Sequence, residues 1–478
     1  MRIAEDRRRW WVLTGACFGL FILMLDSTIV NLALPDMQHD LGASAAELQW
    51  VVNAYLLVMA AATVTMGRLG DLLGRKRVFQ TGMLVFIAGS IVAATAPNPF
   101  VLVLGRLVQG LGGSALVALS LAIVARAFSD DERGRALGIW ASVSAIALAI
   151  GPLLGGVLVD DLSWRWIFWI NLPVGAAGLA ITALAAEESR DETAEPRVDV
   201  AGVVTLGLGL GLVVLALVQG EDWGWRSAAT IGSLLGGIGL LAAFCVVEHH
   251  VRQPIVDFTL FRNGPYLGAS AAGFALVGAF WVVMFYEPQY LQNVLGHSAL
   301  EAGLLVLPIT VPMILLSPLT GGLARVVGLR LLMSLGMAAG TVGVAVLTLV
   351  DETPSYGVLV VGYLLFGTSL GIVYATMSTA AMDSMPAEKA GIAAGVLSMN
   401  RLLAGALLLA LTGALVQQLS HGRPGAHAFT SALGQALWLI VGVMAVGTVL
   451  TAVLVRASRP APAPAAGVVE HHARRAHV

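Results

Sequence analysis

The sequence predicts an all-α integral membrane protein of 14 transmembrane helices: two six-helix bundles, related as a pseudo-repeat, with two linker helices between them. Three observations carry this. Only 12% of the 478 residues are charged and 58% are hydrophobic, against roughly 25% charged in a soluble domain. The mean hydropathy is +0.85. The apolar residues also fall into fourteen runs, each close to the ~20 residues that cross a bilayer. A net charge of −2 argues against a nucleic-acid partner. Both cysteines, Cys17 and Cys245, fall inside apolar runs and read as helix residues, not a disulfide frame.

Taken in order, the runs are roughly 10–34, 48–67, 78–96, 100–125, 136–159, 166–186, 200–219, 228–247, 265–287, 300–322, 331–350, 355–381, 391–417 and 432–455. Glycine, proline and charge punctuate them, as at Ala96-Pro97-Asn98-Pro99 and Asp351-Glu352-Thr353-Pro354. The basic start, 2–9, resembles the opening of a secretion signal. The run behind it is too long for one and no small-residue cleavage site follows, so the first run reads as an uncleaved span.

Charge sets the orientation. With the N-terminus in the cytosol, only Arg165, Arg226 and Arg423 of the 27 lysines and arginines fall outside, and Arg106 and Arg401 fall within spans. All the others are cytosolic, the bias expected of a multi-pass protein of the cell membrane with both termini inside. Segment 187–199 is the longest charged link between spans. The expected domains are therefore an N-terminal six-helix bundle over 1–186, links and two extra helices over 187–262, a C-terminal bundle over 263–455 and a disordered cytosolic tail over 456–478.

The halves repeat weakly. Gly67-Arg68-Leu69-Gly70-Asp71-Leu72-Leu73-Gly74-Arg75 follows span 2, and Gly321-Gly322-Leu323-Ala324-Arg325-Val326-Val327-Gly328 follows span 10. Asp131-Glu132-Arg133-Gly134 after span 4 has a counterpart in Glu388-Lys389-Ala390-Gly391 after span 12. Such repeats are the trace of transporter halves with a substrate site between them.

Asp26 lies inside the first span, where a charge costs a few kcal/mol and is by default functional. At 1.5 Å rise per residue it sits ~6 Å to the outer side of the midplane, and Arg106 of span 4 sits ~7 Å to the same side. Asn53 of span 2 falls at similar depth, so three polar groups share one layer. Burial disfavours the carboxylate and a neighbouring arginine favours it. Asp26 and Arg106 are therefore the candidate proton-coupling pair; a static structural pair is the alternative. The nine histidines all fall in loops or the tail, which excludes a histidine relay. Glu287, Glu301 and Asp383 read as span-end acids, so exchange of one proton per cycle is the simplest expectation.

Arg401, inward of the centre of span 13, has no matching acid. It could meet an anionic substrate group or backbone carbonyls, or snorkel to the cytosol. Asn31 and Gln109 join the candidate polar layer. Trp281, Phe285, Tyr286, Tyr374 and Met377 are candidates for an adaptable apolar cavity wall. Gly207-x-Gly209-x-Gly211 lies mid-span with no preceding strand and reads as helix packing. No phosphate-binding loop and no metal-ligand spacing occurs, so no cofactor, metal or enzymatic centre is expected.

Four motifs together resemble the major facilitator superfamily, specifically its 14-span drug:proton antiporters. They are Gly67-Arg68-Leu69-Gly70-Asp71-Leu72-Leu73-Gly74-Arg75-Lys76-Arg77 after span 2, Arg106-Leu107-Val108-Gln109-Gly110-Leu111-Gly112-Gly113 in span 4, Ala149-Ile150-Gly151-Pro152-Leu153-Leu154-Gly155-Gly156 in span 5, and Leu25 to Pro35 in span 1. Ser163-Trp164-Arg165-Trp166-Ile167-Phe168 with Asn171-Leu172-Pro173 is also typical of that group. The resemblance implies a proton-coupled exporter of amphiphilic drugs or antibiotics acting as a monomer by alternating access. It implies a cytosolic gate at Gly67, Asp71, Gly74, Arg75, Arg77 and Asp131, with Asp71 meeting a second-half helix and Arg75, Lys76 or Arg77 pairing with Asp130, Asp131 or Glu132. It implies that Gly151, Pro152, Gly155 and Gly156 form a kinked, tight contact that blocks proton leak. The rival readings are an exporter of one metabolite, siderophore or lipid, substrate uptake with protons, and a non-transporting membrane receptor or scaffold.

Overall fold

A computed structural model describes residues 5–191, 198–251, 254–353, 355–421 and 425–456. The 457–478 tail, Arg2 and Arg423, and the side chains of Asp130 and Glu388, lie outside the described residues. Fourteen helices are long and apolar enough to cross a membrane, one for each predicted run. They are span 1 (Arg7–Leu41), 2 (Ala45–Leu73), 3 (Arg75–Ala94), 4 (Pro99–Ala127), 5 (Asp131–Asp161), 6 (Trp166–Ala185), 7 (Val200–Trp223), 8 (Ala228–His250), 9 (Gly264–Val294), 10 (Leu307–Val327), 11 (Leu329–Leu347), 12 (Tyr356–Asp383), 13 (Gly391–Ser420) and 14 (Ala426–Leu454). The chain is thus a multi-pass membrane protein with no strand among its described residues.

Local chemistry explains many of the ends. Ser44 and Ser298 each close a capping box with a glutamate three residues on, Glu47 and Glu301, satisfying donors that a helix start leaves open. Gly74 (φ +116°) and Gly328 (φ +90°) make the turns between spans 2 and 3 and spans 10 and 11. These are left-handed positions open to glycine at no steric cost, and they occupy equivalent places in the two halves.

Several boundaries differ from the sequence expectation: spans 1 and 2 run on to Leu41 and Leu73, past the expected ends at 34 and 67. The run at 300–322 is broken: a short helix, Ala299–Leu305, precedes span 10. Span 9 does not stop at Glu287. It passes through Pro288 and finishes in a π turn, Tyr290–Val294, and Gln289 Nε2 donates to the Phe285 carbonyl in the turn before the proline (2.7 Å). His39, His249, His250 and His427 lie on helix ends, exposed, and not in loops.

Spans 1–6 pack among themselves, as do spans 9–14. The two sets meet where span 2 runs along span 13, span 1 meets span 9, and span 5 meets the Ala299–Leu305 helix and span 10. Span 7 lies over the seam of spans 2 and 13, and span 8 packs on span 7. Two of the three glycines in span 7 are helix packing: a Cβ on Gly207 would stand 3.4 Å from Ala61, and one on Gly209 3.0 Å from Leu241 of span 8, while one on Gly211 would meet nothing within 4 Å.

The two ends differ in packing. We call the end bearing Gly74 and Gly328 the near end and the other the far end. At the far end, Asp160 of span 5 accepts the Ala299 and Leu300 amides (3.1 and 2.9 Å), a carboxylate on a helix N-terminus. Gln292 donates to the Leu32 carbonyl (3.1 Å). At the near end a Cβ on Gly134, Gly138, Gly321, Gly322 or Gly391 would meet nothing within 4 Å. The halves therefore pack backbone to backbone at the far end, where a Cβ on Gly156 would collide with Leu300 and one on Gly303 with the Pro152 carbonyl, while these near-end glycines face open space.

Candidate functional site

The buried charge pair lies in the N-terminal half. Asp26 Oδ2 accepts from Arg106 Nη1 at 2.6 Å, and the two side chains are 0% and 2% exposed. Taking such ions out of water costs several kcal/mol each, and only additional hydrogen bonds make the pair tolerable. The structure supplies them. Arg106 Nε donates to the Val51 carbonyl (3.0 Å) and its Nη1 to Gln109 Oε1 (2.8 Å). The guanidinium lies 4.2 Å from the Tyr55 ring centre, a cation–π contact strengthened by desolvation. Gln109 Nε2 donates to Asp26 Oδ1 (3.2 Å) and to Ser90 Oγ (2.8 Å), and Asn171 Nδ2 reaches the same two oxygens (3.4 and 3.3 Å). Spans 1, 2, 3, 4 and 6 thus join one network, in which Arg106, Gln109 and Asn171 reach the Asp26 carboxylate directly.

Asn53 is not part of this network. It is buried, but neither its amide nitrogen nor its oxygen has a partner. Depth placed it at the right level, but Val51 and Tyr55 are the span 2 residues that meet Arg106. Asn31 donates to the Ser27 carbonyl (3.1 Å) and also stays outside the network. Ser90 and Asn171 were missed, although the depth arithmetic applied to their spans puts both in the same outer layer.

A cavity of about 120 Å³ lies between the halves, beside this pair. It is walled by Met24, Ser27, Tyr55 and Met59 on one side and by Phe280, Trp281, Tyr374 and Arg401 on the other. Ser27 and Tyr55 separate it from Asp26 and Arg106 by one layer of side chains. Of the predicted wall residues, Trp281 and Tyr374 line it. Phe285, Tyr286 and Met377 do not: Tyr286 packs on Phe285 and toward Phe429 of span 14, and Met377 is buried against Gly273. Arg401 donates to Ser398 Oγ (3.0 Å) and lies 5.0 Å from the Tyr374 ring centre, with no acid partner among the described residues. Ligand pockets usually enclose ~300 Å³ or more, so an occupant must displace side chains, and the methionines Met24, Met59 and Met313 are the adaptable ones. A larger groove of about 640 Å³ between spans 9 and 14 has no ionisable side chain in its wall and is not this site.

The loop between spans 2 and 3 departs from the predicted gate. Asp71 binds its own Arg75 (2.8 Å) and no second-half helix. Lys76 donates to the Ala183 and Ala186 carbonyls (2.8 and 2.7 Å), and Arg77 stands 3.7 Å from Glu188. Glu188 also accepts the Lys76 and Arg77 amides (3.0 and 3.2 Å), capping span 3. Glu132 pairs instead with Arg9 (2.5 Å), and Asp131 is exposed with no ion pair among the described residues. The physical reason is geometric: segment 187–191 lies against the loop, with the Asp191 amide on the Asp71 carbonyl (3.0 Å) and the Arg75 amide on the Ser189 carbonyl (2.9 Å). The loop's basic groups find these nearer acceptors first. Gly67 faces Ala118 of span 4, 3.8 Å from a built Cβ.

The glycines of span 5 pack it tightly on span 1, and Gly156 with Pro152 makes the contact to the other half at the far end. A Cβ on Gly151 would collide with Thr28 and one on Gly155 would stand 2.8 Å from Ile29, both in span 1; one on Gly156 would collide with the Leu300 backbone of the other half. The Pro152 carbonyl faces Gly303. Span 5 remains one continuous helix through Pro152. Beside the seal, Trp164 Nε1 and Arg165 Nη1 both donate to Asp40 (3.0 and 2.6 Å), and Arg165 Nη2 to the Ala96 carbonyl (3.2 Å), tying spans 1, 3 and 6 together.

The sequence profile of the Major Facilitator Superfamily matches residues 16–409. The chain is 36% identical over 412 residues to "Multidrug resistance protein Stp" of Mycobacterium tuberculosis, covering 86% of this chain and 76% of that one. It is 31% identical over 409 residues to "Tetracenomycin C resistance and export protein" of Streptomyces glaucescens, with the same coverages. It is 33% identical over 475 residues to "Puromycin resistance protein pur8" of Streptomyces alboniger, covering 94% and 92%. Among solved structures, a bacterial homolog of the human lysosomal transporter Spinster, inward-facing and unoccupied, superposes with a TM-score of 0.67 at 14% identity over 95% of this chain and 99% of that one. The nucleoside transporter NupG gives 0.66 at 14% identity, covering 94% and 100%. With this fold and these relatives, the chain belongs to the major facilitator superfamily.

Proposed function

We propose that the protein is a proton-coupled antiporter that exports amphiphilic drugs or antibiotics from the cytosol by alternating access. The near end faces the cytosol in this reading, both termini lie there, and the arrangement described above is inward-facing. The observation that carries the proposal is the buried Asp26–Arg106 pair, one side-chain layer behind an apolar cavity between two helix bundles. The resistance and export names of the relatives supply the substrate class.

The chemistry follows from the pair. A proton on Asp26 removes the negative charge facing Arg106, while Arg106 keeps the Val51 carbonyl, Gln109 Oε1 and the Tyr55 ring. The guanidinium is then uncompensated next to the cavity wall, and the wall residues Ser27 and Tyr55 are free to shift with it. A substrate that fills the cavity displaces water from the same wall and favours the ionised, paired form, so substrate entry and proton loss are linked. With outward-facing protonation and inward-facing substrate entry, the proton gradient drives export. Gly151, Gly155 and Gly156 keep the far end shut while the near end is open. The transport unit in this reading is one chain, because the cavity is built by one chain.

Export of a fluorescent amphiphile from cells with and without the protein tests this. Efflux should stop when an uncoupler collapses the proton gradient and persist when ATP is depleted with the gradient held. Efflux that follows ATP would overturn the reading. A narrow specificity, with only one compound competing in a panel, would favour the single-metabolite exporter.

A further inference from the structure

A second acid is buried in the C-terminal half, and nothing in the cycle above uses it. Glu287 of span 9 is 1% exposed, and its Oε2 accepts from Tyr363 Oη of span 12 at 2.5 Å. No lysine, arginine or histidine among the described residues pairs with it. The titratable groups around it are phenols and one more acid. Tyr363 comes from span 12 and Tyr290 from the π turn that ends span 9. Tyr290 in turn donates to the carbonyl of Asp351, in the link before span 12 (2.7 Å). At this end His427 stands against Glu352 and Arg165 against Asp40, so those cations are engaged elsewhere. A carboxylate held this way would be an uncompensated charge in a dry site, and such a group takes a proton instead.

Its position gives that proton a role. Glu287 is seven residues beyond Phe280, and Tyr363 is seven residues before Leu370; Phe280 and Leu370 both line the cavity. Seven residues are two helical turns, so the two side chains lie on the cavity-facing sides of spans 9 and 12, ~10 Å toward the far end. Five residues on, Gln292 makes the span 9 contact across the seal, to the Leu32 carbonyl. The pair is therefore the roof of the cavity, directly beneath the contact that must break for the far end to open.

We infer that Glu287, held by Tyr363, is a second proton-binding site that exchanges with the far side of the membrane. It is neutral while the far end is shut. When spans 5 and 10 part, water reaches it, the proton leaves to that water, and the carboxylate becomes a transient counter-charge for a cationic substrate on its way out. Re-protonation from the far side displaces the cation and allows the roof to close. The proton returns to the side it came from, so this site sets the pH dependence of closure and the preference for cations without adding to the protons carried inward.

This inference rests on the export reading, and the test separates the two. Purified wild-type protein and Glu287→Gln are compared by difference infrared spectroscopy of protonated carboxyls as the pH is stepped, and by export of a permanently cationic and a neutral amphiphile in vesicles. The expected result is a protonated-carboxyl band present in the wild type and missing in Glu287→Gln. Export of the cation should fall about tenfold in the variant while the neutral compound moves at the wild-type rate. Tyr363→Phe should keep the band and shift its frequency, which shows that the acid is protonated in a folded protein even if Glu287→Gln is poorly expressed. An unchanged band in Glu287→Gln, or equal loss of both substrates, overturns the inference. Failure of the wild type to export either compound with protons overturns the export reading instead.

Discussion

Asp26 and Arg106 stand 2.6 Å apart with essentially no exposure, and one carboxylate gathers donors from Arg106, Gln109 and Asn171. Arg106 is at once the counter-ion, a clamp on the span 2 backbone through Val51 and a plate on Tyr55. A charge that is merely neutralised would need only the first of these.

That division of labour predicts what a lysine would do. Arg106→Lys keeps the charge, but an ammonium has no planar fork to serve Asp26, Gln109 and the Val51 carbonyl together. The variant should fold and bind substrate, and should exchange about tenfold more slowly, the equivalent of ~1.4 kcal/mol on the barrier. Arg106→Ala should be worse, because it leaves an unpaired buried acid, a loss of ~3–5 kcal/mol in stability. Thermal melts and initial rates of substrate-driven proton movement check both.

The far-end seal should be sensitive to single methyl groups. Gly156→Ala drives a Cβ into the Leu300 backbone, and backbone cannot step aside as a flexible side chain can. We expect a cost of about 1–3 kcal/mol to the closed arrangement and a shift toward the outward-open one. Cysteines introduced at the far end should then label faster in Gly156→Ala than in Gly138→Ala, whose added Cβ meets nothing within 4 Å.

The cavity should separate shape from charge. Trp281→Ala removes a large apolar wall residue and should weaken binding of all amphiphiles about tenfold, as ~1.4 kcal/mol of lost contact would. Arg401→Ala should weaken anionic compounds and strengthen cationic ones, because Arg401 has no acid partner in the described structure and its charge is free to act on the occupant. Phe285→Ala and Met377→Ala should change stability but not this selectivity. Equilibrium binding to compounds of each charge reads all four.

At the near end, Lys389 holds Asp257 (2.8 Å), tying the link before span 9 to the start of span 13. Partial burial pushes the Asp257 carboxyl up, but hydrogen bonds from Lys389, Thr259 and the Thr259 amide outweigh it and leave it below its ordinary value. A carboxyl lowered in the folded state contributes stability that is complete above its unfolded value and is lost as the pH falls through its folded one. The tie should therefore hold at neutral pH and release only under strong acid. Asp257→Asn should remove that acid-dependent loss, as seen in melts at stepped pH, and leave neutral transport unchanged.

Particular residues show how far the sequence was legible. The fourteen runs were plain because hydrocarbon demands an uninterrupted apolar stretch. The approach of Asp26 and Arg106 followed from rise per residue and the rarity of charge in a span. Asn53 shows where depth fails: it gives level but not rotation, and Tyr55, two residues on, holds the place. Ser90 and Asn171 were at the right level too, and only helix rotation, which depth does not give, separates them from Asn31 and Asn53 as members of the network. Glu287 closed the ninth apolar run, and the π turn that carries the helix onward has no sequence signal. The gate pairings of Arg75 and Arg77 went elsewhere because several acids stand within reach of the basic cluster, and only the packing of 187–191 decides among them.

The central claim is that the proton displaced by substrate comes from Asp26. Purified wild-type protein and Asp26→Asn, held in weakly buffered solution with a pH indicator, should be mixed with a tightly binding amphiphile, with binding followed independently by Trp fluorescence. The account predicts that both proteins bind and that only the wild type releases protons. Proton release by Asp26→Asn equal to that of the wild type would contradict it.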